Sequence, residues 1–520
     1  MKSRKFLISS AIALSTMLGT AAPMMNAMPI SATTVTVSNF AEGHAFTAYQ
    51  IFTGKLEGDK LVDIEWGTSA DTTAQATIIA ALKGKDSPLS ADKITALGDN
   101  PNAAAVANAI DGLDAEHSLA LAKLLHPILT ENGKAITSDT TDLTPGYYLI
   151  KDTTTVGSSA DDVIGLSILQ VANADVVITP KNAKPTVDKE VSDNDNHDES
   201  NEAGWGETAD HEIGETFQFR LTAKITQYAD IKNYDSYKLV FHDTLSDGID
   251  YTTEGDLTAQ VFVGTGADPV KTITVTPVNN GQNLTVTIDN LKAHLPAEIQ
   301  ENDAISVVVT YNAKLNALAV VAESGVSGLY NNNKVYLEYS NNPNGEGTGQ
   351  TKEDYVHVFT YKLTNTKTDN MGNNLKGAEF VLKKGVQFAS FNGGIFSGWS
   401  TAQDDTTKLT SGEDGTFVLT GLDAGTYTLV ETKAPEGYKL AADTTITITA
   451  SHKEDDGGAS ATVTLTGDNH DGATVIDSKI SNLPETGGMG TTLFYAAGGI
   501  LAAGAVIALA AGKKAKKEED

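Results

Sequence analysis

Apolar and polar side chains alternate through most of this chain, the pattern of strands with one buried face. The alternation opens at Thr34-Val35-Thr36-Val37 and continues in the apolar and aromatic stretch Phe46 to Phe52. It returns at Gly146 to Ile150 and Val163 to Val171. A second group of strands is predicted at Phe217 to Ile225, Lys238 to Phe241, Thr272 to Val278, Leu284 to Ile288, Ile305 to Leu315 and Lys334 to Tyr339. Gly, Asn and Asp turns separate them at the spacing of a β-sandwich. A third group includes Gly377 to Leu382 and Gly421 to Glu431. One region departs from the period of two. Between Thr72 and Thr130 the Ala-rich segments Ala74 to Lys83, Ala103 to Ile110 and Ala115 to Leu129 predict short helices, with Ser90 and Asp114 as caps.

A short internal echo links the first and third groups. Leu143, Gly146, Tyr148, Ile150 and Asp152 have the spacing of Leu422, Gly425, Tyr427, Leu429 and Glu431. The expected fold is mainly β, a tandem array of immunoglobulin-like β-sandwich domains, the first with a helical insertion. The boundaries expected are 1–32 for an export signal, 33–179, 180–356 and 357–481 for three domains, and 482–520 for a C-terminal tail.

Charge and composition narrow the setting. The 520 residues carry a net charge of −30, which argues against nucleic acid or anionic membrane as a partner. There is no cysteine, so disulfides and thiolate metal sites are excluded. Lys2, Arg4 and Lys5 precede the apolar run Phe6 to Leu18, which predicts secretion with cleavage near Ala27 or Ala32. At the other end, the apolar run Leu493 to Ala511 is followed by Lys513, Lys514, Lys516 and Lys517. About 19 residues suffice for a transmembrane span with a cytoplasmic basic tail. Asp193, Asp195 and His197 alternate like calcium ligands, but the sixth loop position lacks the needed Gly, so the segment reads as a solvated loop. No metal or cofactor is expected. Gly-x-Ser-x-Gly, His-Glu-x-x-His and phosphate-cradling glycine loops are missing and the ten histidines are scattered, so no enzyme is expected.

The tail carries more than a span. Leu483-Pro484-Glu485-Thr486-Gly487 directly before the apolar run resembles the cell-wall sorting signal of Gram-positive surface proteins. The resemblance implies a sortase, a cysteine transpeptidase that cuts between Thr486 and Gly487, and a precursor transiently held in the membrane. Val176-Val177-Ile178-Thr179-Pro180-Lys181 is similar to the segment that holds the acceptor lysine of sortase-assembled shaft pilins, with Thr179 replacing the usual Tyr. It marks Lys181 as the pilin acceptor.

Two further resemblances concern internal amide bonds. Glu431-Thr432-Lys433-Ala434-Pro435-Glu436-Gly437-Tyr438 is similar to the E-box of these pilins and of collagen-adhesin B-type domains. It implies Glu431 as the acid that promotes an isopeptide bond between Lys367 on a first strand and Asp477 on a last strand, with Lys362 as a weaker rival. Val187-Asp188-Lys189-Glu190-Val191, Phe241-His242-Asp243-Thr244-Leu245 and Asn333-Lys334-Val335-Tyr336 resemble a collagen-adhesin A-like pilin domain. They imply Lys189 as nucleophile, Asp243 as acid and Asn333 as partner, with Asn331 and Asn332 as alternative registers. The opening strand Thr33 to Phe40 has no lysine to face Asp152, so no cross-link is expected in the first domain. Burial explains the chemistry: it strips the proton from an amine and keeps it on a carboxyl. The whole resembles a major pilin of a wall-anchored fimbrium. Its implied partners are pilus-specific and housekeeping sortases, copies of itself, minor pilins and peptidoglycan. The alternatives are a minor pilin, or a wall-anchored adhesin that binds host surface ligands and never polymerises.

Overall fold

Strands dominate the computed structural model, and among the described residues the α-helices are confined between Thr72 and Leu125. It describes residues 33–37, 44–57, 60–136, 140–154, 163–165, 167–172, 176–178, 183–193, 204–455 and 458–480. The expected export signal, Lys181, the motif Leu483 to Gly487 and the predicted span lie outside these residues. Among the described residues no helix is long and apolar enough to cross a membrane. The chain divides into two compact units, residues 1–360 with 451–464, and residues 361–450 with 465–520.

In the first unit, the N-terminal segment forms an antiparallel sheet in the order Lys60–Trp66, Phe46–Glu57, Gly146–Asp152, Ile168–Ala172, with Lys134–Ile136 also paired to Phe46–Glu57. A smaller sheet joins Thr140–Leu143, Thr33–Val37 and Val176–Ile178. Between the strands Lys60–Trp66 and Lys134–Ile136 lie four helices, Thr72–Leu82, Ala91–Ala96, Ala103–Ile110 and Ala115–Leu125. Each is capped by the side chain of the residue before it: Asp71, Ser90, Asn102 and Asp114 accept from the backbone N–H three positions on. The first helix starts at Thr72 because Asp71 is the cap. The last stops at Leu125, short of the expected Leu129, because Pro127 has no N–H to continue the ladder. Ile78, Leu82, Val106, Leu121 and Leu125 pack with Ile51, Phe52 and Leu149 in one apolar core.

The middle segment builds two seven-stranded sheets. One runs Trp205–Gly206, Thr186–Ser192, Thr216–Ile225, Ile305–Leu315, Leu257–Val263, Lys271–Val275, with Ile249–Tyr251 also paired to Ile305–Leu315. The other runs Thr208–Asp210, Asp354–Phe359, Asn331–Ser340, Leu239–Leu245, Asn283–Ile288, Val278–Asn280, with Thr348–Gln350 also paired to Asn331–Ser340. Every second residue of Ile305–Leu315 and of Asn331–Ser340 is buried, so the inner faces of the two sheets make the core between them. The strand expected to be last in this segment, Asn331–Ser340, is third from last: Thr348–Gln350 and Asp354–Phe359 follow it, and both pair with it antiparallel. Backbone and side-chain bonds also tie the N-terminal and middle segments together. Ile164 N–H donates to the Asn341 carbonyl at 2.7 Å, and Ser167 N–H to Asn344 Oδ1 at 2.8 Å.

The second unit is organised on a path from residues 444–450 through Gly425–Lys433, Glu379–Lys384, Gln387–Asn392, Ile395–Ser400, Thr416–Leu422 and Tyr361–Asp369 to Thr474–Asp477. Ile395–Ser400 and Thr416–Leu422 are joined by a single residue pair, Ile395 with Thr420. There the path turns over, so the two halves face each other; the Phe380 and Phe417 rings stack across the core at 4.6 Å. Tyr361–Asp369 and Thr474–Asp477, first and last in sequence, are parallel neighbours.

Candidate cross-linking sites

Lys189 sits on the inward face of Thr186–Ser192, one position of the alternation from Val191, and is fully buried. Its Nζ lies over the Phe219 ring at 4.8 Å and the Tyr311 ring at 5.7 Å, and donates to Asp243 Oδ2 at 2.6 Å. Asp243 comes from Leu239–Leu245 in the opposite sheet, so the pair spans the sandwich. Burial pulls the Lys189 ammonium below its ordinary range, with the Asp243 charge opposing, and burial pushes the Asp243 carboxyl up, with Lys189 opposing. Both shifts favour a neutral amine beside a neutral acid.

Asn333 lies two positions from Asn331 on the same buried face, and Asn332 points the other way. The Asn331 amide is spent elsewhere, on the Val320 backbone and the Val358 carbonyl. The Asn333 Nδ2 donates instead to Tyr311 Oη at 2.6 Å, and Tyr311 Oη donates to Asp243 Oδ2 at 3.0 Å. The remaining oxygens, Asp243 Oδ1 and Asn333 Oδ1, are buried with no hydrogen-bond partner. Tyr311 was not among the residues expected here. Its place in Ile305–Leu315, in phase with Val307 and Val309, was legible as buried, but nothing along the chain connects it to Asp243.

In the second unit Lys367 is fully buried and Lys362, in phase with the opposite face of the strand, is not. Lys367 Nζ lies 2.5 Å from Asp477 Oδ1 and 3.6 Å from Glu431 Oε1, all three side chains inaccessible to solvent. Lys367 and Asp477 meet because their strands run parallel in register, Thr368 against Ile476 and Asp369 against Asp477. Glu431 arrives from Gly425–Lys433 on the facing half, and its Oε2 accepts the Ala441 N–H at 2.7 Å. Burial raises the Glu431 carboxyl above its ordinary range, with the Asp477 carboxyl adding to the rise and Lys367 and the Ala441 N–H opposing it.

The echo residues occupy matching strands, Gly146–Asp152 and Gly425–Lys433. Tyr148 Oη donates to the Thr144 carbonyl at 2.8 Å and Tyr427 Oη to the Asp423 carbonyl at 2.7 Å, the same corner four residues back. At the acid position the two differ. Asp152 Oδ2 contacts His44 Nδ1 at 2.7 Å and accepts the Gly165 N–H at 2.8 Å. Neighbouring Lys151 turns away, its Nζ donating to the His126 and Leu129 carbonyls. Asp193 is buried at the end of Thr186–Ser192, and Asp195 and His197 lie outside the described residues.

Comparisons with known proteins bear on both units. Residues 361–465 match the SpaA prealbumin-like fold domain, and residues 476–520 match the LPXTG cell wall anchor motif. The trypsin-resistant surface T6 protein of Streptococcus pyogenes serotype M6 is 30% identical over 180 residues, 32% of this chain and 28% of that protein. Fimbrial subunit type 2 of Actinomyces naeslundii is 26% identical over 360 residues, 63% of this chain and 60% of that protein. The solved structure of the T6 backbone pilin, described as modular and three-domain, superposes with a TM-score of 0.51 at 16% identity, covering 86% of this chain and 99% of that one. At that identity the likeness is one of fold. The chain thus carries a prealbumin-like SpaA domain and an LPXTG cell wall anchor motif, it shares its fold with a backbone pilin, and it spans 28% and 60% of the length of the two relatives it matches in sequence.

Proposed function

We propose that this chain is the shaft subunit of a covalent pilus, polymerised by a sortase that joins Thr486 of one copy to Lys181 of the next, and hardened by two autocatalytic isopeptide bonds. The observation that carries the reading is the pair of buried lysine clusters, each bringing an amine, an acid and a side-chain acyl group together in a solvent-inaccessible core. A solvated surface lysine would have no use for such a setting, and a buried one needs its acid partner.

In the middle segment the Lys189 ammonium passes a proton to Asp243. The neutral amine attacks Cγ of Asn333, the C–N bond to Nδ2 breaks, and ammonia leaves. In the second unit Lys367 attacks Cγ of Asp477, and water leaves. A protonated Glu431 polarises the acceptor carboxyl there, a role its raised affinity for protons supports. Pilus-specific and housekeeping sortases and peptidoglycan are the partners that the sorting motif requires; minor pilins would complete the fibre.

Replacing Lys181 with Ala tests the polymer: wall extracts run under denaturing conditions should lose their high-molecular-weight ladder while the anchored monomer remains. A persisting ladder would rule out Lys181 as the acceptor. No ladder in the unaltered protein would leave the wall-anchored adhesin or minor pilin instead.

A further inference from the structure

We propose that Tyr311 is a catalytic residue of the Lys189–Asn333 reaction, relaying a proton from Asp243 to the departing nitrogen of Asn333. The inference rests on the cross-linking chemistry proposed above and extends it to a residue outside the lysine, acid and amide set. Four atoms form one unbroken chain: Lys189 Nζ to Asp243 Oδ2 at 2.6 Å, Asp243 Oδ2 to Tyr311 Oη at 3.0 Å, and Tyr311 Oη to Asn333 Nδ2 at 2.6 Å. It begins at the nucleophile and ends at the leaving group, and each member is at most 1% exposed.

Amide exchange needs such a link. The amine must shed two protons to become an amide nitrogen, and the –NH2 of Asn333 must gain one to depart as ammonia, being a very poor leaving group as an anion. These side chains are closed off from bulk solvent, so groups within the core have to carry them. Asp243 takes the first proton from the Lys189 ammonium. After attack on Cγ, the second proton leaves the former lysine nitrogen for the Asp243 and Tyr311 chain. Asp243 gives a proton to Tyr311 Oη, and Tyr311 gives its own to Nδ2, which has gained a lone pair in the tetrahedral intermediate. The C–N bond then breaks. The balance is Lys–NH3+, Asp–COO− and Asn–CONH2 going to one amide, NH3 and Asp–COOH. Tyr311 ends as it began.

Tyr311 is suited to this by its surroundings. Burial holds its hydroxyl far above the ordinary tyrosine range, so it stays protonated and can both donate and accept. Its ring is fixed by Phe219 and Tyr251, each 5.5 Å away between centroids, so Oη keeps its position between acid and amide. The second unit has no need of an equivalent, since the group lost from a protonated Asp477 is water and Glu431 faces the reacting lysine directly.

The test follows the kinetics of both bonds in one molecule. The full chain, recovered unfolded and unlinked, is diluted into native buffer in detergent, sampled over time, digested and analysed by mass for each cross-linked peptide. Tyr311→Phe should slow the Lys189–Asn333 bond about 100-fold and leave the Lys367–Asp477 bond at its normal rate. An equal rate for the middle bond in the variant would overturn the relay. Absence of that bond in the unaltered chain would instead overturn the underlying cross-linking reading. Lys189→Met, folded but unable to react, is the reference for protease resistance. If Tyr311→Phe is less resistant than this reference, the decision passes to the unaltered chain in H2O–D2O mixtures. Two protons in flight predict a curved dependence of rate on deuterium fraction, and a straight line would overturn the relay.

Discussion

Lys189→Met isolates the energetic contribution of one proposed cross-link. Methionine keeps most of the lysine stem against the Phe219 and Tyr311 rings and removes only the nucleophile. Asp243 loses its ion partner, but burial already favours its protonated form, and the Tyr311 hydroxyl remains 3.0 Å away. The variant should therefore differ from the linked protein mainly by the missing amide. A bond from Lys189 to Asn333 closes a loop of about 145 residues, and the chain-entropy relation gives about 5 kcal/mol for a loop of that length. For a cooperative region of 150–250 residues, 1 kcal/mol shifts the melting temperature by roughly 2–4 °C. Lys189→Met should then lower the transition of the middle segment by roughly 10–20 °C. Scanning calorimetry reads the shift, and intact mass confirms that one deficit of about 17 Da has disappeared. A melting temperature within about 3 °C of the unaltered protein, with the mass deficit gone, would refute the argument that the cross-link stabilises by constraining the unfolded chain.

Three other outcomes are expected. Asp477→Asn should change the second-unit deficit from about 18 to about 17 Da, since ammonia replaces water as the leaving group; tryptic peptide mass reads the difference. Glu431→Gln cannot pass a proton to the acceptor, so the Lys367–Asp477 bond should form about 100-fold more slowly. The same bond in the unaltered chain should slow as pH rises through the elevated Glu431 range, because the acid form is the one required. Glu207 is held up to about 9, first by burial and then by the charges of Asp354, Glu454, Asp188 and Glu190. The folded state thus binds a proton that the unfolded state releases near 4.5, so this group's contribution to stability falls as pH rises from about 4.5 toward about 9. Glu207→Gln should flatten the decline in denaturant titrations of the first unit across that range.

The cross-link proposed for the middle segment would also differ from a simple tie between terminal strands. Asn333 is on Asn331–Ser340, and the chain still has to pass through Thr348–Gln350 and Asp354–Phe359 before leaving the unit. Tension entering at Thr186–Ser192 would cross to the second sheet through the amide. It would then load the antiparallel ladder that joins Asn331–Val335 to Asp354–Val358. In the second unit the linked strands are first and last in sequence and adjacent, so a bond there would bypass the ladder altogether.

Much of this was readable along the chain because its signals are local. Strand alternation needs only the two-residue period of the pleat, and Ser90 and Asp114 cap helices by reaching three residues ahead. The sorting motif is likewise contiguous, and so are the segments around Lys189, Asp243, Lys367 and Glu431. Linear order could not choose among Asn331, Asn332 and Asn333. That choice depends on which face of the strand turns inward and on what waits there: the Val320 loop for one asparagine, Tyr311 for another. Nor could it show that His44 stands before Asp152, over a hundred positions away, where the echo has a lysine before Glu431. Tyr311 itself read as one more apolar-phase residue beside Val309. Its hydroxyl comes to lie between an acid and an amide only when two sheets close. Such contacts arise from packing across the core, and no local pattern of residues encodes them.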